Sequence, residues 1–285
     1  MNTPTIPKRH KRRLQAHFGF TKLPFRKNMA AADMFDSRSQ RDLRAGLLMW
    51  TELRGIALVT GYSGVGKSIT LRRFLLSLDD ARFHVLKFAH LPTTPVGLLR
   101  SLCRALDLPM RHHASDLFDA AQAYLAAYQQ DNGPHPLIVL DDAEGLAVPA
   151  LDLIRRLTTY DLDAEDRFSI LLTGTEDLLT TLQRQDLAPL RSRIVYPQPL
   201  RPFSLEDTRN YVRFHLERAD ADADLFSDTA TGRIFQASRG RPRHINQLCL
   251  YLLIQAAVTG IDAIDGTFTA NQLSSHPLYQ NPQEV

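Results

Sequence analysis

Gly61-Tyr62-Ser63-Gly64-Val65-Gly66-Lys67-Ser68 sets glycines, a lysine and a hydroxyl at the spacing G-x-x-x-x-G-K-[ST]. Glycine lets the backbone curl so that successive N–H groups, and the N-terminus of a following helix carrying Ile69, face phosphate oxygens. Lys67 is placed to neutralise charge on the outer phosphates and the Ser68 hydroxyl to ligate Mg2+. A magnesium ion bound there also needs a carboxylate from a neighbouring strand end. Asp141 supplies one, closing the apolar run LIVLD 74 residues after Lys67, and it would reach the metal through water. Asp142 follows where a residue that polarises an attacking water would stand; a helix-capping Asp pair is the competing reading. The next apolar run ends LLTGTEDL, which offers Thr173 and Thr175 as polar contacts on the γ-phosphate side. Thr175 is the preferred candidate, and a helix cap is the alternative for either. In LRSRI, Arg191 and Arg193 stand before a last strand, and Arg193 is the candidate for stabilising transition-state charge in a neighbouring subunit. SRGRPRHINQL opens a long helix with Pro242 suited to its first position, and Arg243 is expected to point at the nucleotide.

These residues need strands and helices in alternation. Apolar strand patterns at residues 56–60, 83–88, 136–141, 168–173 and 193–197 are interleaved with helical patterns at 40–53, 66–78, 96–106, 115–128, 150–158 and 177–184. Continuous apolar strands separated by helices predict a parallel sheet covered on both faces. After Pro202 only helical patterns remain, at 205–218, 227–238 and 242–258, which predicts a small all-α unit.

The chain has 285 residues, 44% apolar and 23% charged, which suits one large domain plus a small one and excludes a disordered or fibrous protein. Its net charge of +3 is unevenly spread. Lys8, Arg9, Lys11, Arg12, Arg13, Lys22, Arg26 and Lys27 put +8 on residues 1–30, which lack Asp and Glu, so the remaining residues carry −5. Such an arm can bind polyanions by counterion release, although a solvated tail has the same composition. Cys103 and Cys249 lie far apart in apolar surroundings, excluding a disulfide framework and predicting a reducing, cytoplasmic setting. The N-terminus lacks the apolar run of a secretory signal. Residues 245–261, the most apolar stretch, are interrupted by Asn246, Gln247 and Gln255 and read as a buried helix, so no membrane segment is expected. His112 and His113 lack partners at metal spacing and are expected in solvent; Trp50 is expected in the core.

In chain order GYSGVGKS, LIVLDDAE, LLTGT, SRI and GRPRHIN resemble the AAA+ ATPases over roughly residues 17–270. The closer resemblance is to the ExeA-like group, which also begins with an aromatic FGF…PF segment and carries G-x-P-R-x-I-N in its lid. That group is similar to the TniB, TnsC and IstB transposition ATPases and to origin-recognition ATPases. The resemblance implies an α/β fold, a three-layer P-loop domain with a parallel sheet followed by an all-α lid. It divides the chain into a basic arm at 1–16, the ATPase domain at 17–202, the lid at 203–272 and a tail at 273–285. It implies ATP and Mg2+ at residues 61–69 and Arg243, with Lys67, Asp141, Asp142, Thr175 and Arg193 in hydrolysis. ExeA-like chains commonly read DEAQ where this one reads DDAE at 141–144, which implies slow turnover stimulated by DNA or a partner. The secretion ATPase that names the group carries a membrane segment and a cell-wall-binding region after its ATPase domain, and neither is expected here.

The leading expectation is a regulator of transposition that oligomerises with ATP on duplex DNA, as ring or filament, and recruits a transposase. A cytosolic secretion or assembly ATPase with a membrane-protein partner is the alternative. A replication initiator or helicase loader ranks below both, because only a short polar tail follows the lid. Phe18, Phe20 and Phe25 are expected mostly in the core, with a wall for adenine as the other possibility.

Overall fold

The computed structural model describes residues 14–26, 33–88, 90–130, 133–159 and 167–279. Most of the basic arm and residues 280–285 of the tail lie outside them. Two compact units emerge. One gathers the described residues of Met1–Ser37 and Arg201–Val285 together with Gly64–Gly66; the other comprises Arg38–Ser63 and Lys67–Leu200.

In the α/β unit, α1 (Arg38–Leu53) leads into β1 (Ile56–Thr60) and α2 (Lys67–Leu76). There follow β2 (Phe83–Phe88), α3 (Pro95–Ala105), α4 (Ala114–Gln130), β3 (His135–Leu140), α5 (Val148–Leu157), β4 (Ser169–Gly174), α6 (Glu176–Leu182), α7 (Ala188–Arg191) and β5 (Ile194–Pro199). The five strands run parallel in the order β2-β3-β4-β1-β5. Every residue of β1, β3 and β4 is buried, as the continuous apolar runs require of strands covered on both faces. Leu58, Ile138, Leu140, Ile170 and Leu172 meet the apolar faces of α3, α4 and α5 in one core. Trp50 is buried in α1, while His112 and His113 are exposed, both as expected.

Register decides what meets at the carboxyl edge of this sheet. Leu140 pairs with Leu172, so Asp141 and Thr173 are the next residues along two adjacent strands. Thr60 pairs with Gly174, which places the loop after β1 beside the end of β4. Ligands of open parallel sheets bind at this edge, where strand order reverses direction.

The helical unit contains α8 (Leu205–Glu217), α9 (Asp228–Ser238), α10 (Pro242–Thr259) and α11 (Gly266–Ser274). Ser204 and Asp207 form a reciprocal capping box on α8, and Ser227 and Asp265 cap α9 and α11 through their side chains. α11 is a helix that the apolar periodicity did not disclose. Its buried side includes Gly266 and Thr269 along with Leu273, so small and polar residues mask the stripe. α10, the most apolar stretch, buries Ile245, Leu248, Cys249, Leu252, Leu253 and Ala256. Among the described residues no helix is long and apolar enough to cross a membrane.

The aromatic segment expected at the front of the ATPase domain packs with the helices instead. Phe20 and Phe25 are buried in the core formed by Phe203, Tyr211, Phe226 and Ile245, the core placement expected of them. The reason is local pairing: the Thr21 N–H donates to the Ala219 carbonyl at 3.1 Å, and the Phe25 N–H donates to Nδ1 of His215 at 3.3 Å.

That last bond requires a neutral His215 ring. Burial first, and the Arg218 charge second, lower its pKa to about 4. An unfolded chain takes up the proton near pH 6.5, so the helical unit keeps its full stability above that value and loses it as pH falls from 6.5 towards 4. The expected loss is about 3 kcal/mol, levelling off below pH 4. Thermal unfolding of wild type and of His215→Asn between pH 7 and 4 checks this: the wild type should lose more stability, and parallel curves would refute it. His135 in the other unit shifts in the same direction, to about 4, with its Nε2 2.9 Å from the Ser169 hydroxyl. Its contribution is common to both proteins and cancels in the comparison.

Candidate functional site

The loop of residues 61–66 leaves β1 and enters α2 at Lys67. Gly64 and Gly66 have φ of +79° and +110°, values that side chains with a Cβ rarely adopt, and these turn the peptide groups into a nest ahead of the helix. Lys67 is 7% exposed, and its ammonium donates to the Gly61 carbonyl at 2.7 Å and the Tyr62 carbonyl at 3.5 Å. Burial lowers its pKa, opposed by the negative charges of Glu144, Asp142, Asp141 and Glu176 in decreasing order. A cation is thus held over a curled backbone loop with a group of carboxylates nearby. Tyr62 projects into solvent at half exposure.

At the end of β3 the Asp141 carboxylate accepts the Thr173 hydroxyl and, at 3.1 Å, the N–H of Asp142. Asp142 adopts a left-handed conformation with φ of +54°, which Asp tolerates better than most residues. This reverses the chain into a single turn of 3-10 helix, Ala143–Gly145, and leaves Asp142 exposed. Thr175, the sequence preference, is the N-cap of α6 and lies beyond the strand. Its hydroxyl is buried without a hydrogen-bond partner among the described residues, while its N–H donates to the Glu144 carboxylate at 3.3 Å. The strand register, not the T-G-T spacing, thus brings Thr173 to Asp141.

Glu144 was not among the residues singled out from the sequence. No side-chain spacing marks it, because its partner is the backbone N–H of Thr175. The two arginines before β5 engage groups of their own unit. Arg191 donates to the Leu182 carbonyl at 2.5 Å and the Arg184 carbonyl at 3.4 Å. Arg193 donates to the Pro189 carbonyl at 3.2 Å and the Thr159 hydroxyl at 3.4 Å. Arg243 is exposed in the first turn of α10, and its backbone N–H donates to the Gly64 carbonyl at 3.2 Å.

A family model described as an AAA domain matches residues 51–182. Solved structures extend the likeness through the helices. The ORC2 protein of Aeropyrum pernix, solved in ADPNP–ADP complexes, superposes with a TM-score of 0.62 at 14% identity, over 88% of this chain and 71% of that one. Drosophila ORC bound to DNA gives 0.64 at 13% identity, over 96% of this chain and 68% of its counterpart. The chain has the P-loop AAA+ fold. General secretion pathway protein A of Aeromonas hydrophila is 30% identical over 208 residues, 72% of this chain. The chain spans 38% of the length of that relative.

Within the AAA+ fold the GRPRHIN segment acquires a physical reason at each marked position. Gly240 lies against the backbone of Phe203, Pro242 starts α10, Ile245 is fully buried, and the Asn246 side-chain oxygen accepts the Tyr211 hydroxyl at 2.9 Å. Most of the motif therefore builds the helical unit, and Arg243 is the position left facing solvent.

Proposed function

We propose that this AAA+ protein binds ATP with Mg2+ at residues 61–69, hydrolyses it, and uses nucleotide state to assemble with copies of itself on duplex DNA. The observation that carries the ATPase reading is the meeting, at one sheet edge, of the curled loop with buried Lys67 and of Asp141 bonded to Thr173. Lys67 would exchange its carbonyl partners for phosphate oxygens. Ser68 and Asp141 would hold Mg2+, whose charge helps neutralise the phosphates. An oxygen donor set of one hydroxyl and one carboxylate suits an ion that keeps waters and substrate phosphates as its other ligands. Asp142, exposed on its left-handed turn, would orient the attacking water, and Thr173 rather than Thr175 would sense the γ-phosphate through Asp141. Arg243 and, in trans, Arg193 are the proposed cationic contributors, one from α10 and one from a neighbouring copy.

For the biological process we infer target selection and transposase recruitment in the cytoplasm. The +8 charge of residues 1–30 supports contact with DNA, as does likeness to an ORC structure bound to DNA. A secretion or assembly ATPase is the second reading, supported by the 30% identity to General secretion pathway protein A. A replication-initiator role rests on the ORC likeness alone.

DNA binding and ATP turnover, measured across a salt series for the full chain and for a protein lacking residues 1–16, separate these readings. Removing five of the eight arm cations should flatten the slope of log affinity against log salt by up to about 4 while leaving ATP affinity unchanged. Duplex DNA should raise turnover or drive assembly. Indifference of both to DNA, with stimulation by a membrane component, would favour the secretion reading.

A further inference from the structure

The turn after β3 and the turn after β4 are tied together twice. At the first tie Thr173 donates its hydroxyl to Asp141; at the second, the Thr175 N–H donates to Glu144 at 3.3 Å. The second tie crosses from one strand connection to the next and works as a capping box whose acid comes from another element: the N-cap hydroxyl of α6 makes no capping bond, and its N–H is held by Glu144. The approach is close. A Cβ built on Gly174 would stand 2.9 Å from the same Glu144 oxygen and 2.6 Å from Cδ2 of Leu178, so the residue between the two threonines has no room for a side chain. The path of the chain supports the same arrangement. The left-handed Asp142 and fully buried Ala143 aim Glu144 across the sheet edge instead of along it.

We propose that Glu144 is a positioning residue for ATP hydrolysis: its carboxylate clamps the β4–α6 turn and thereby keeps the Thr173 hydroxyl on Asp141. This rests on the ATPase reading given above. Glu144 itself transfers no proton in this scheme. Its negative charge is also the foremost acidic influence on the Lys67 ammonium, which places it within the field of the phosphate loop.

Three variants of the full chain decide the matter: wild type, Glu144→Gln and Glu144→Ala. For each, kcat for ATP, Kd for a fluorescent ATP analogue and amide exchange at Thr175 are measured. The Gln amide oxygen can still accept the Thr175 N–H, so Glu144→Gln should keep kcat within about threefold of wild type, with the same pH profile and the same protection at Thr175. Glu144→Ala loses the acceptor, and kcat should fall about tenfold with Kd changed by less than about threefold, while Thr175 exchange speeds up. A Glu144→Gln protein as impaired as Glu144→Ala, with its acid limb lost and Thr175 still protected, would overturn the proposal, because the carboxylate would then be the proton acceptor. Unchanged kcat in Glu144→Ala would overturn it as well. Should Glu144→Ala fail to fold, the Gln variant's kcat and pH profile still decide between clamp and proton acceptor. If the wild type itself releases no phosphate, the ATPase reading fails, and Thr175 exchange still reports whether the clamp exists.

Discussion

A Lys67→Ala protein is expected to fold normally and to lose ATP turnover by at least about a hundredfold, the scale seen when one preorganised donor is removed from developing charge. The residue is 7% exposed, and its ammonium rests on the Gly61 carbonyl at 2.7 Å. Burying a cation is costly unless it is paired, so the alanine variant relieves that cost while it removes the proposed phosphate contact. Affinity for ATP should weaken together with turnover, because in the proposed site the same ammonium serves ground and transition states. Isothermal titration with ATP and a thermal melt separate the two consequences: a near-normal melting temperature with lost binding is the expected pair. Retained binding at wild-type affinity would mean that Lys67 does not face the phosphates.

The largest expected structural effect is at Gly240. Its φ is +66°, and an added Cβ would lie 2.1 Å from the Phe203 carbonyl oxygen, a backbone atom that cannot swing away. The two backbones are joined there, since the Phe203 N–H donates to the Gly240 carbonyl at 2.8 Å. Gly240→Ala therefore combines left-handed strain with overpacking and should cost about 3 kcal/mol or more, lowering the melting temperature of the helical unit by on the order of 10 °C. Gly232, inside α9, provides the internal control. Nothing lies within 4 Å of its added Cβ, so Gly232→Ala should stabilise by about 0.5–1 kcal/mol through helix propensity. Equal melting temperatures for the two alanine variants would contradict the close approach described at Gly240.

The strand assignments were largely readable because each buried strand is a continuous apolar run, and four of the five strands are within one residue of expectation at their starts and ends. β5 extends two residues further than expected, through Pro199, because its exposed edge carries Pro197 and Pro199, which read as punctuation. The curl of the loop at residues 61–66 was readable since glycine spacing encodes backbone shape directly. What sequence alone left open was register. Thr173 and Thr175 are equivalent as letters, and only the pairing of Leu140 with Leu172 selects Thr173 for Asp141. Glu144 was hidden for a related reason: its partner, the Thr175 N–H, is a backbone group 31 residues away and leaves no trace in side-chain types. The aromatic segment at 18–25 was misassigned to the ATPase domain because apolar content announces burial without naming the core that receives it; here it is the helical one.

Phosphate release from ATP by the full chain, with and without Mg2+, beside Lys67→Ala under the same conditions, tests the central claim most directly. Turnover in the wild type that requires Mg2+ and vanishes in the variant is the predicted result. Absence of ATP binding and turnover in the wild type, or turnover that persists undiminished in Lys67→Ala, would contradict the assignment of residues 61–69 as a working nucleotide site.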